Sequence, residues 1–217
     1  MVFMINFYLI ITGYLVGSLN ISILLSKIWK KQDVRQFHSE NAGATNSYRT
    51  FGKLFGITVL LLDILKGYLT VALGYAFWSY FAKDVVYAPM ISGLACMIGH
   101  TFPIFFKFKG GKGVGCAIGI LIALNISLLF VAAIFFFGIT ILTRYVSLGS
   151  VATALILIPF TFIPWISKGD IAYTTPISLP FWVNGLIYIF CAALIVFNHR
   201  SNIQRLINGT ERKFEVK

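Results

Sequence analysis

Residues 114–143 read VGCAIGILIALNISLLFVAAIFFFGITILT, thirty positions without an Asp, Glu, Lys or Arg. As one helix they would extend about 45 Å, against a bilayer core of about 30 Å. A turn near Asn125 would give two shorter helices instead, and the charges on either side decide between these readings. Five other apolar runs are plain, at residues 3–26, 54–81, 85–105, 150–166 and 179–196. With the turn there are seven spans, and 15 of the 18 Lys and Arg residues gather on one side, Arg144 and the basic tail to Lys217 among them. Without it, Arg144 and the tail change sides. Cytoplasmic loops carry the excess of Lys and Arg, so the turn is preferred. The expected fold is an all-α integral membrane protein, a polytopic bundle of about seven transmembrane helices. Its N-terminus lies outside and its C-terminus in the cytoplasm. The first half of the divided run is short for a full crossing.

Composition agrees. Of 217 residues, 58% are hydrophobic and 12% charged, too little polar surface for a soluble domain of this size. A single membrane-embedded unit over residues 1–217 is expected, in the cell membrane. The net charge of +11 follows from the charge bias of the loops. It also suits anionic lipids and phosphorylated substrates; no soluble basic domain is present to bind nucleic acid. No Lys or Arg precedes Lys27, so the first run lacks the basic head of a cleaved signal peptide and is expected to remain as a span. Cys96, Cys116 and Cys191 form no Cys-x-x-Cys pair and read as small buried hydrophobes.

This topology places four polar segments on one face. The outer loops, at about 82–85 and 167–179, offer little beyond Lys168 and Asp170. The first polar segment runs from Arg35 to Arg49 and concentrates Ser39, Asn41, Gly43, Thr45 and Asn46. A helix starting near Thr45 would set Asn46 and Arg49 on one face, with a helix N-terminus suited to an oxyanion beside Ser39 and Asn41. A capped polar loop explains the same residues. The second segment holds His100 and then Lys109-Gly110-Gly111-Lys112-Gly113. It is no Walker A loop, because Phe106 stands where glycine is needed and Gly113 where Ser or Thr would hold Mg²⁺. A Gly-Gly-Lys-Gly turn entering a helix still offers backbone N–H groups and a charge to a phosphate, although a flexible basic turn would look alike. The third segment contains Ser147 and Ser150, aligned on a helix. In the fourth, His199 and Asn202 share a helical face turned to the bundle, while Arg200 and Arg205 point away from it. Taken alone that face reads as an amphipathic tail. Asp63 and Lys66, three apart inside a span, are expected to pair.

Much chemistry is excluded. No histidine lies close in sequence to another or to an acidic or cysteine cluster, which speaks against zinc. The fifth residues after His38, His100 and His199 are Gly43, Phe105 and Gln204, so the His-x4-Asp pattern of many glycerolipid acyltransferases is absent. There is no Gly-x-Ser-x-Gly elbow.

Together these segments resemble the bacterial acyl-phosphate-dependent glycerol-3-phosphate acyltransferases, the PlsY family. The resemblance rests on Ser39 with residues 41–46 and Arg49, on Gly99-His100-Thr101-Phe102-Pro103, and on residues 109–114. Residues 144–147, residues 199–206 with Gly209-Thr210-Glu211, and the span from Leu61 to Gly67 complete it. It covers nearly the whole chain in order. One departure stands out: the family's Gly-Ser-Gly-Asn is His38-Ser39-Glu40-Asn41 here, which removes two glycines and sets an acid near a phosphate site. The resemblance implies acyl transfer from an acyl phosphate to glycerol 3-phosphate at the cytoplasmic face; the residues themselves call for no cofactor and no metal, and no obligate protein partner is expected. Ser39, Arg49, Lys112, His199 and Asn202 are then the expected catalytic residues. Asn41, Gly43, Thr45, Asn46, Gly110, Gly111, Gly113, Ser147 and Ser150 are the expected substrate-binding ones. A membrane transporter for an organic phosphate is the alternative, since polar breaks and intramembrane charges suit it too; it would need polar groups along a path through the bilayer.

Overall fold

The computed structural model describes residues 2–81, 83, 86–168 and 171–214; residue 85, Asp170 and Lys217, which enter the reading above, lie outside them. Among the described residues all regular structure is helical: α1 (Val2–Ser18), α2 (Ile21–Lys30), α3 (Ala44–Phe51), α4 (Lys53–Phe81), α5 (Met90–Thr101), α6 (Val114–Leu124), α7 (Ser127–Thr143), α8 (Val146–Phe160), α9 (Pro164–Ser167), α10 (Trp182–Asn198) and α11 (Arg200–Ile207). Asn6–Lys30 and Lys53–Phe81 are each long and apolar enough to cross a bilayer. Trp182–Asn198 with Arg200–Ile207 is a third if its 57° bend falls within one span. The remaining apolar helices are shorter.

The turn at Asn125 is present. Its side-chain oxygen accepts from the Ser127 N–H at 3.0 Å and hydroxyl at 2.8 Å, and its amide donates to Ile166 O at 3.0 Å. A fully buried asparagine that starts α7 and ties down the far loop explains why the long apolar run divides there. The first run, expected to remain as a span over 3–26, overlaps the candidate span Asn6–Lys30 and is interrupted after Ser18. Asn20 adopts an extended backbone and accepts from Ile23 N–H at 3.1 Å, so a new helix begins at Ile21.

Helix α1 packs on α5, α4 on α6, and α7 on α8. The first two pairs approach at backbone distance. A side chain at Gly17 would overlap the carbonyl of Cys96, one at Gly99 the carbonyl of Tyr14, and one at Gly119 the carbonyl of Ile64. Small residues allow such contact in a lipid environment, where apolar side chains alone give helices little reason to associate. Between these pairs lies a charged core. Lys66 Nζ stands 2.9 Å from Asp63 Oδ1 and 3.0 Å from His100 Nδ1, and Asp63 Oδ1 is 3.4 Å from His100 Nδ1. The expected pairing of Asp63 with Lys66 is therefore found, with His100 as a third member.

The loop before α3 turns through two non-glycine residues of positive φ. His38 and Glu40 hold φ of 50° and 56°, the left-handed region that glycine enters freely and other residues enter at a cost of about 1–3 kcal/mol.

Two stability measurements test this core. Lys66→Met strands a buried carboxylate and should cost about 3–5 kcal/mol, read as a fall in the thermal unfolding temperature in detergent. The double change Asp63→Leu with Lys66→Met should lose less than the single one. Glu40→Gly should raise stability by about 1 kcal/mol, the relief of strain exceeding the entropy that glycine adds to the unfolded chain.

Candidate active site

One cavity of about 750 Å³ brings the polar segments together. Its walls include all five expected catalytic residues, Ser39, Arg49, Lys112, His199 and Asn202. Asn41, Gly43, Thr45, Asn46, Gly113, Ser147 and Ser150 also line it. These residues come from the loop before α3, from α3 itself, from the turn before α6, and from α8 and the α10–α11 bend. An apolar stretch of wall is formed by Leu60 and Ile64 of α4, Ile118 and Leu121 of α6, Ala132 and Phe136 of α7, and Leu157 of α8, with Asp63, His100 and Thr153 also at the wall. A single space thus has a cationic head and a greasy body.

Lys112 hydrogen-bonds to the side-chain oxygen of Asn202. The amide of Asn202 donates to Glu211 Oε1 at 2.6 Å, and the Ser147 hydroxyl donates to the same oxygen at 2.7 Å. Arg205 Nε meets Glu211 Oε2 at 2.7 Å. Burial pushes the Lys112 ammonium down to about 8; Glu211 opposes this, while Arg205 and Arg49 add to it. Burial alone would raise the Glu211 carboxyl, but hydrogen bonds from Asn202, Ser147 and Arg205 outweigh it and hold the group below its usual range. His199 Nδ1 lies 2.8 Å from Ile195 O. A carbonyl only accepts, so Nδ1 carries the proton and Nε2 keeps its lone pair. Burial, reinforced by the nearby Lys112 charge, pushes the imidazole down to about 4.

Several expected roles change. The N–H of Gly110 donates to Thr101 O and that of Gly111 to His100 O, both at 3.0 Å. Neither glycine lines the cavity, so they are not the phosphate donors that the turn suggested. They are small for packing: a side chain at Gly110 would overlap His100 O, and one at Gly111 the His100 ring. Val114 and Gly115, in the first turn of α6, line the cavity, and a helix leaves its first-turn N–H groups without internal partners. Gly113 begins that helix with φ of 85°. Asn46 is buried, and its amide donates to Val34 O at 2.9 Å and Phe37 O at 3.1 Å while its oxygen accepts from Ser39 N–H. It braces the loop and has no donor left for a substrate. Ser150 donates to Val146 O at 2.9 Å.

Arg205 was expected to face away from the bundle, yet it lines the cavity, as do Arg212 and Glu211. The signal lay in the tail: one acid between two arginines, after Gly209, whose φ of 68° turns the chain back over the site. Phe214 N–H closes that return by donating to Arg144 O at 2.7 Å. Arg200 does stay outside, against the Phe197 ring. The fold also assembles a cluster that sequence spacing hid. One ligand atom each of Asp63, His100 and Cys116 lie within 4.8 Å of one another. The Lys66 ammonium already stands against Asp63 and His100, so this cluster carries its own cation.

The glycerol-3-phosphate acyltransferase family profile matches residues 7–209. The glycerol-3-phosphate acyltransferase of Mycoplasmopsis synoviae (strain 53) is 48% identical over 223 residues, covering 98% of this chain and 96% of that one. That of Enterococcus faecalis (strain ATCC 700802 / V583) is 40% identical over 94% of this chain and 90% of its own. The crystal structure of PlsY, an integral membrane glycerol 3-phosphate acyltransferase, in its glycerol 3-phosphate form superposes with a TM-score of 0.79 at 33% identity, covering 97% of this chain and 96% of that one. The lysophosphatidic acid form gives 0.78 and 34%, covering 97% and 95%. With matches of this extent in both sequence and fold, the chain is an all-helical integral membrane protein that belongs to the glycerol-3-phosphate acyltransferase family.

Proposed function

We propose that the protein transfers a fatty acyl group from an acyl phosphate to the 1-hydroxyl of glycerol 3-phosphate, giving 1-acylglycerol 3-phosphate (lysophosphatidic acid) and phosphate. This is the first step of membrane phospholipid synthesis. The observation that carries the reading is the joining of Arg49, Lys112 and Asn202 to an apolar chamber within one cavity. A phosphate at the cationic head and a fatty chain along α4, α6, α7 and α8 fit such a space. The substrates named for the solved relatives support it. A transporter would need a continuous path of polar groups across the bilayer, whereas the expected site residues gather in one cavity beside apolar side chains of α4, α6, α7 and α8.

In the proposed reaction the hydroxyl oxygen attacks the acyl carbonyl, the bond from carbonyl carbon to phosphate oxygen breaks, and phosphate leaves with that electron pair. Acyl phosphate is already activated, so no covalent enzyme intermediate is needed. Arg49 grips phosphate through its planar fork and Lys112 adds a point charge. Ser39, Asn41, Thr45 and Asn202 orient the two anions, and the first-turn amides of α6 favour negative charge. Holding the hydroxyl against the carbonyl supplies proximity. His199 Nε2 and the substrate phosphate are the two acceptors for the hydroxyl proton. We further propose seven spans in the cell membrane, N-terminus outside and site facing the cytoplasm, with membrane lipids as neighbours, no cofactor and no obligate protein partner.

Purified protein in lipid vesicles, supplied with labelled glycerol 3-phosphate and palmitoyl phosphate, should release labelled lysophosphatidic acid. Label uptake without product would support a transporter instead. Arg49→Ala and Lys112→Ala should each lower kcat/KM by about 10²–10³-fold without loss of fold. Full activity in both would remove the site assignment. His199→Ala should lower kcat/KM and leave measurable turnover. The pH profile follows from Lys112, which acts as the ammonium. Its depressed value means that the charge is present below about pH 8 and lost above it. The alkaline limb of kcat/KM should therefore fall near pH 8, and Lys112→Arg should move it upward.

A further inference from the structure

Asn20 lies in the break between α1 and α2, fully buried and absent from the cavity wall. One side chain there reaches three parts of the molecule. Its oxygen caps α2 through Ile23 N–H. Its amide donates to Ala42 O at 3.3 Å and to His100 O at 3.3 Å. Ala42 sits between Asn41 and Gly43 in the first substrate loop. His100 O also accepts from Gly111 N–H, next to Lys112 in the second. Ala42 N–H donates to Gly110 O at 3.2 Å, which closes the ring. The other side of the same break is held as well, since Lys66 Nζ lies 3.4 Å from both Gly17 O and Leu19 O.

The two loops are tied directly by the Ala42–Gly110 backbone hydrogen bond and by Arg35, which donates to Phe106 O at 2.9 Å and Lys109 O at 3.0 Å; Asn20 joins the inner end of the first loop to the α5 carbonyl that holds Gly111. A Ser or Asp at this position would still cap α2 but would present no amide to the two carbonyls. Those carbonyls belong to the segments that carry Asn41 and Lys112. We infer that Asn20 is a positioning residue whose amide fixes the spacing of the two substrate loops, and so where the Lys112 ammonium stands over the reacting groups. Buried carbonyls left short of a donor draw apart or admit water, and a misplaced cation loses most of its value in the transition state.

The inference rests on the acyltransferase reading, and the parent protein separates the two. If the parent forms no lysophosphatidic acid, that reading fails. If the parent is active, Asn20→Ser should lower kcat/KM by about tenfold or more, with Asn20→Asp lower still and unfolding temperatures close to the parent's. A structural defect would act equally in any background, so the change is repeated in Lys112→Gln, assayed at high enzyme concentration. There Asn20→Ser should lower kcat/KM by less than about threefold, because the cation that it positions is gone. A loss below about threefold in the parent, or the same full loss in both backgrounds, would overturn the inference. Failure of both Asn20 variants to fold would overturn it too, making the residue a folding determinant only.

Discussion

A buried cation that must not wander is the constraint on which this structure depends. Lys66 lies inside a helix bundle where an unpaired charge would cost several kcal/mol, and it is held by Asp63 on its own helix and by His100 on α5. That pairing fixes the His100 ring. The ring lies flush against Gly111, where no side chain fits, and the His100 carbonyl accepts the Gly111 N–H. Lys112 is the next residue. The glycines of the basic turn therefore let Lys112 be mounted directly on a charged core below. Flexibility would defeat that purpose, and every glycine amide before Lys112 in that turn is tied to α5.

Glu211 shows the same economy at the upper end. A carboxylate that accepts from Asn202, Ser147 and Arg205 keeps the cationic head from repelling itself apart. Arg49, Lys112, Arg205 and Arg212 share one cavity wall, and their mutual repulsion would otherwise splay the tail from α8. A phosphate entering this space meets donors already oriented toward an anion. Preorganised donors of this kind need little rearrangement when charge develops.

The sequence revealed the helical class, the division at Asn125 and the gathering of Ser39, Arg49, Lys112, His199 and Asn202. Each of these follows from a signal that survives in one dimension: absent charges, a lone polar residue in an apolar run, or small polar residues beside a cation. The occupation of individual hydrogen bonds was not legible. Asn46 and Gly111 look like ligands because asparagine and glycine serve anions and loop backbones equally well, and only the fold shows which partner arrives first. Arg205 was misplaced because helical periodicity was carried through it without the return of the tail, and the carboxylate that draws it inward lies beyond the end of α11. The break at Asn20 was masked by apolar neighbours on both sides.

The proton's destination can be argued from the same geometry. Held near 4 by burial and by Lys112, His199 is a weak base. A phosphate group, with a second ionisation near about 6, is the stronger one. A bound dianion would raise His199, since negative charge nearby favours the imidazolium, but the same cations that attract the dianion also oppose that rise. In the proposed reaction that balance favours the phosphate as the acceptor and leaves His199 Nε2 to orient the hydroxyl. Its lone pair can accept the hydroxyl hydrogen bond and hold the attacking oxygen in line while the proton passes to the phosphate. A histidine in that role contributes orientation more than basicity, and the backbone carbonyl of Ile195 fixes the tautomer that makes it possible.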